Sequence, residues 1–241
     1  MIGALPSLRG KVILITEAGA RFADGPGVTG PGEAFAALAA RAGADLVLVD
    51  REAARLATTR ARVSRDGHRV VTVVADLSDP AAAGGALTAC RAAFGRLDAL
   101  VGHLVPGEAG LVPRDATDPF HADSFAGWDA DLPPPGLRPA GLVRLSCLAA
   151  ELMGRHGSGT VLNFACAPLG QQRRAQEDAA RLNRVLLAEL GWQGIRSNAV
   201  TTLPPGPDFL LPAAPGSWLR TRTAAIWHAA RGALYLASDQ T

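Results

Sequence analysis

Residues 8–18 read LRGKVILITEA, and the run Val12-Ile13-Leu14-Ile15 inside them is the stretch on which the fold turns. It is apolar without interruption and rich in β-branched residues. A strand covered on only one face would alternate with polar residues, so this run suits a parallel sheet buried on both sides. Outward from it the same signal recurs, and strands are expected at 11–18, 45–50, 70–75, 99–105, 160–166 and 195–201. Alanine-rich helical stretches separate them at 32–42, 52–65, 80–94, 141–155 and 173–190. Strands alternating with helices predict one doubly wound, Rossmann-like α/β domain over residues 1–241, with right-handed crossovers placing helices on both faces.

Composition agrees with a packed α/β chain. Of the 241 residues, 48% are hydrophobic and 19% charged, which suits a globular core rather than a disordered chain. The formal charge of +2 is close to neutral, and no dense basic run points to nucleic acid or to a membrane surface. The start of the chain lacks the charged region, long apolar core and cleavage site of a secretory leader, and Val12–Ile15 is too short to cross a bilayer. Cys90, Cys147 and Cys166 are odd in number and widely spaced, which argues for a reducing compartment rather than a disulfide framework. The five histidines are scattered without metal-ligand spacing, so no metal is expected. A cytoplasmic setting is the resulting expectation. Three stretches break the β/α rhythm, at 21–29, 106–136 and 203–216, each rich in Gly or Pro, and long loops of this kind often serve function.

The landmarks then assemble into a resemblance. LRGKVILIT opens the sheet and LVLVDR ends the second strand, while ADLSD follows the third. GRLDALV leads into the fourth, SGTVLNFA forms the fifth and ELGWQGIRSNAV leads into the sixth. In this order the chain resembles the short-chain dehydrogenase/reductase family from Leu8 to Asp239, and the 3-oxoacyl-ACP reductases within it most of all. LYLASDQT resembles the segment before a seventh strand, which is expected to be missing because the sequence stops at Thr241.

That resemblance implies an active site that the residues do not supply. In the family a tyrosine exchanges a proton with the substrate oxygen, and a lysine four residues later lowers its pKa. An unperturbed phenol, with a pKa of roughly 10, is a poor base at neutral pH without such a cation. This chain has one tyrosine, Tyr235, and one lysine, Lys11, which no register can bring into a YxxxK pair. Counting back from GIRSNAV places the tyrosine position at Gln172 and the lysine position at Gln176. The serine position falls on Ala165 or Cys166, and the asparagine position on Arg138. No catalytic residue of the family is therefore assigned.

The nucleotide signature is uneven. The family's TGxxxGxG is represented by Thr16-Glu17, Gly19 and then Gly30-Pro31-Gly32 after an insertion that carries Gly25 and Gly27. Glu17 brings a carboxylate to the turn where a pyrophosphate would sit, and like charges there oppose binding. NNAG has become Gly102-His103-Leu104-Val105. The adenosine half is better kept, and the resemblance implies that Asp50 would accept ribose hydroxyls, favouring NAD over NADP, with Asp76 and Leu77 contacting adenine. The plainer alternatives are a helix cap for Asp50 and a turn for Asp76. No bound cofactor is expected, with residual NAD(H) binding left open.

Three functions follow. The first is a non-catalytic family member acting as a subunit or partner of an active ketoreductase of the same fold, as a homo- or hetero-oligomer. The resemblance implies that helices 141–155 and 173–190 form a dimer interface. Their apolar faces (Leu142, Leu145, Leu148, Ala149, Leu152; Ala179, Leu182, Leu186, Leu190) fit that use, although each must also cover its sheet. The second is a repurposed lyase, cyclase or isomerase drawing on Cys166, His103, Glu17 or Arg138, since a thiol beside an imidazole can become a nucleophile. The third is an atypical NAD(P)-dependent oxidoreductase. Gln171 to Arg174, with Arg138, would hold an anion at the vacant site or merely open a solvated helix, and Trp192, Trp218 and Trp227 are expected to serve packing.

Overall fold

The computed structural model describes residues 6–19, 30–64, 68–77, 79–104, 138–165 and 172–201. In chain order these form β1 (Val12–Ile15), α1 (Pro31–Arg41), β2 (Asp45–Asp50), α2 (Ala53–Val63), β3 (Val70–Val74) and α3 (Pro80–Phe94). β4 (Ala99–Leu104), α4 (Arg138–Gly154), β5 (Gly159–Ala165), α5 (Gln172–Leu190), a 3-10 turn (Gly191–Gln193) and β6 (Ile195–Thr201) complete them. The strands make one parallel sheet in the order β3-β2-β1-β4-β5-β6. The expected doubly wound architecture is therefore present, and its order reverses between β1 and β4, where such sheets open a crevice at their carboxyl ends.

Alternation along each strand sorts the core into two layers. Val12, Leu14, Val47 and Val49 face the layer that α3, α4 and α5 cover, with Cys90, Leu145, Leu182 and Leu186. Ile13, Ile15, Leu46 and Leu48 face the other layer, with Phe35 and Leu38 of α1 and Leu56 of α2. Continuous apolar runs are the consequence of covering both faces of a sheet. β3, at the edge, is only half-buried along its length and ends on an exposed Val74.

Helix boundaries follow the local chemistry. In α3 the side chain of Asp79 accepts from Ala81 N at 2.9 Å, Pro80 opens the first turn, and Gly95 closes the helix at φ +72°. These are a side-chain cap, a tolerated proline and a left-handed stop. β1 is shorter than expected for a visible reason. Thr16 N still bonds Val101 O and Ala18 N bonds Val49 O, but between them Glu17 turns to φ +48° and interrupts the ladder. The loops at 106–136 and 203–216, Tyr235, Trp218, Trp227 and the place of a seventh strand lie outside the described residues.

Candidate functional site at the carboxyl edge of the sheet

Thr16, the first residue past β1, ties the two strands at the switch point together, its Oγ1 accepting from His103 N at 3.1 Å. Next to it Glu17 holds a left-handed backbone, a conformation that L side chains adopt at a cost of roughly 1–2 kcal/mol. Gly32, in the first turn of α1, is packed so closely that an added Cβ would stand 2.7 Å from Glu17 O and 3.0 Å from the Cε1 of His103. Only glycine lets this helix start approach the strand ends, so the close-packing glycine of a dinucleotide fold is retained in function here.

Asp50, at the end of β2, is 2% exposed and both its oxygens are occupied. Oδ2 accepts from Gly19 N at 2.8 Å, and Oδ1 accepts from Glu52 N at 2.9 Å. Asp50 is not the helix cap of the plainer reading, because the residue at the cap of α2 is Glu52. Asp50 instead clamps the turn after β1 to the start of α2. Replacing one charged acceptor by an amide in Asp50→Asn leaves at least one backbone N–H facing an NH2 group. We expect a loss of about 2 kcal/mol, read from the urea midpoint, whereas an unchanged midpoint would mean that the clamp contributes nothing. Asp76 and Leu77 follow β3. Asp76 is exposed, with its carbonyl accepting from Asp79 N, and Leu77 is half-buried against the α3 layer.

His103 does not stand at the mouth of the crevice as a base. Although the residue as a whole is partly exposed, both ring nitrogens are buried without a hydrogen-bond partner. The ring stacks on Phe164 at 5.4 Å and 7°, and burial pushes its pKa down to about 4, with the Thr16 contact opposing. A neutral, enclosed imidazole is a poor proton acceptor for a ligand it cannot reach. Cys166, its expected companion, lies outside the described residues. Asn163, wholly buried on the opposite face of β5 from Phe164, also leaves both side-chain polar atoms unpartnered. Sequence reasoning missed it, since an asparagine inside VLNFA carries no signal of its own.

The structure places the residues expected at the family's catalytic positions as follows. Gln172 begins α5 and Gln176 lies half-buried one turn later, Arg138 begins α4, and Ala165 ends β5 as a buried alanine. Lys11 sits before β1, 3.7 Å from Asp98, which itself precedes β4 and accepts from Val12 N. The lysine is thus at the amino edge of the sheet, separated from the carboxyl edge by the length of β1, roughly 13 Å.

The family model described as enoyl-(acyl carrier protein) reductase matches residues 27–207. The chain belongs to the short-chain dehydrogenase/reductase family. This short-chain dehydrogenase/reductase is 31% identical to the oxidoreductase UcpA of Escherichia coli strain K12 over 203 residues, 80% of this chain and 68% of that protein. It is 27% identical to the D-threitol dehydrogenase of Mycolicibacterium smegmatis over 201 residues, 80% of this chain and 70% of that one. A short chain dehydrogenase from Mycobacterium smegmatis superposes with a TM-score of 0.66 at 26% identity, covering 99% of this chain and 92% of the other.

The family implies a nicotinamide dinucleotide, and the described residues fit it poorly. Gly32 keeps the helix start close, but Asp50 is buried with both oxygens engaged and so is closed to ribose hydroxyls in this arrangement. Among the described residues no group of three metal-ligating side chains occurs, and no helix is long and apolar enough to cross a membrane.

Proposed function

We propose that this short-chain dehydrogenase/reductase does not itself transfer hydride and acts by association with a protein of its own fold. The position of Lys11 carries the reading. The only lysine of the chain stands beside Asp98 at the far edge of the sheet, and glutamines occupy the positions of the family's tyrosine and lysine. Without a cation beside a phenol no proton relay of that kind operates at neutral pH. The partner in this reading is an active ketoreductase-type subunit, and the reaction it carries is reduction of a 3-oxoacyl thioester. The setting is cytoplasmic, and residual NAD(H) binding is compatible with the reading.

The purified chain should show no oxidation of NADH or NADPH with ketone or 3-oxoacyl thioester substrates. Titration of either nucleotide should leave the tryptophan fluorescence unquenched or only weakly quenched. Turnover by the isolated chain would sink the reading. Addition of the chain to an intact relative that co-purifies with it should raise that relative's activity.

A second reading, an oxidoreductase with substitute proton donors, draws on the names of its relatives, a D-threitol dehydrogenase and an oxidoreductase. The Thr16–His103 tie at the switch point is compatible with it. The same turnover assay separates the two.

A further inference from the structure

The turn after β1 is fastened to three other elements. Thr16 N donates to Val101 O of β4, and Thr16 Oγ1 accepts from His103 N at 3.1 Å. Two residues later the chain has changed sides. Ala18 N donates to Val49 O of β2, and Ala18 O accepts from Oγ1 of the buried Thr59 of α2 at 3.2 Å. Gly19 N then donates to Asp50 Oδ2 at 2.8 Å. The change of side happens at Glu17, whose left-handed backbone persists because the residues on either side of it are held.

Gly19 lies against the first turn of α2. A Cβ there would stand 2.6 Å from Arg55 Cβ and 2.8 Å from the Arg55 carbonyl carbon, closer than a real Cβ comes. Its backbone is not left-handed, so glycine is needed here for the close approach alone. Arg55 is in turn paired with Glu52 at 2.8 Å, and Glu52 N donates to Asp50 Oδ1 at 2.9 Å. The contacts thus close a ring through Gly19, Asp50, Glu52 and Arg55. In a dinucleotide fold the carboxylate that ends the second strand receives ribose hydroxyl groups. In this chain it receives a backbone N–H of the turn that would otherwise frame the nucleotide. Each oxygen keeps a further lone pair, but at 2% exposure no hydroxyl reaches it from solvent.

We infer that residues 16–19 are a built-in occupant of the adenosine half of the crevice, with the Gly19 N–H standing in for a ribose hydroxyl. The site is a latent one for a nucleoside bearing a 2′,3′-diol, and it opens when the turn lifts off α2. This deepens, and rests on, the reading that the chain does not itself transfer hydride. The poor fit to a nicotinamide dinucleotide then has two origins. On the adenosine side it is conformational, because the carboxylate survives and is covered. On the nicotinamide side it is chemical, because no tyrosine–lysine couple exists. A ligand that binds only the open form has its apparent affinity lowered by the fraction of molecules that are open. A change that lifts the turn without touching Asp50 therefore raises the affinity, the opposite of what damage to a binding site does.

Isothermal titration calorimetry of the full-length chain with adenosine tests this. Adenosine is the probe because it carries no phosphate to meet the Glu17 carboxylate. Gly19→Ala adds a methyl group that does not fit against Arg55 and so lifts the turn. It should bind adenosine about tenfold more tightly than the wild type, or better. Thr59→Val keeps the shape of the buried side chain and removes its bond to Ala18 O, so it should shift the affinity in the same direction. This second variant keeps the test decisive if Gly19→Ala does not fold. 2′,3′-Dideoxyadenosine should show no gain with either variant, because it leaves Asp50 nothing to receive. Equal affinity of the wild type and the folded variants for adenosine, or an equal gain for the dideoxy compound, would overturn the proposal. If that equality came with no ketone turnover, the closure would fail and the association reading would stand. Ketone turnover by a wild-type chain that binds no adenosine would remove the association reading and leave the closure.

Discussion

Phe164→Ala is expected to destabilise the protein by about 3–5 kcal/mol, the range for deleting a buried aromatic side chain. Phe164 is fully buried in the layer that α1 covers. Its ring is inclined at 65° to that of Phe35 of α1, with centroids 6.1 Å apart, and lies flat against His103 of β4. One truncation thus removes the contact that joins β5 to the first helix, and it uncovers one face of an imidazole with no polar partner. The cavity cannot collapse easily, because the neighbouring strand carries His103 in register with Phe164. Urea denaturation with an unchanged m-value is the measurement. A loss below about 1 kcal/mol would mean that the layer repacks and that the stack is incidental.

The second large effect is acid sensitivity from His103. Its folded-state pKa is lowered from 6.5 to about 4, chiefly by burial. Between those values the unfolded chain binds a proton that the folded chain refuses. Stability from this group is therefore complete above pH 6.5 and is lost progressively as the pH falls towards 4. At 1.36 kcal/mol per unit the loss amounts to about 3 kcal/mol. His103→Leu keeps a buried apolar side chain at this site and removes the proton. The difference in slope between the two proteins, from about pH 7 down to about pH 4, isolates the histidine from every other titrating group, since the two proteins share all of those. Equal slopes would show that His103 titrates normally and that its nitrogens reach water.

Both expectations concern residues whose importance the sequence did not announce. As a histidine at a strand end His103 reads as a candidate base, and its ring proves to be stacked on Phe164 with both nitrogens buried. Trp192 reads as packing and stands 81% exposed on the turn after α5. The apolar stripes of α4 and α5, which suggested a dimer face, are buried in the chain's own core, and only Leu148 among them is left half-buried. In each case periodicity identifies that a residue is apolar or sits near a strand end, but not which surface it meets.

Other features were legible at once because they depend on neighbours in sequence. The uninterrupted Val12–Ile15 run, with its counterparts in β2 and β5, pointed to a sheet covered on both faces, and the alanine-rich stretch 80–94 is the helix α3 with those bounds. The lack of a tyrosine–lysine couple needed no coordinates, because a chain with one of each at opposite ends offers no spacing to search. What only the tertiary structure decided was how polar groups are arranged at the carboxyl edge: Asp50 closed onto Gly19 and Glu52, and His103 sealed beneath α1. Composition and short-range pattern determine which elements form, because helix hydrogen bonds, caps and burial period are local. The partner of a buried carboxylate or imidazole is chosen by strands distant in sequence, and only their packing selects it.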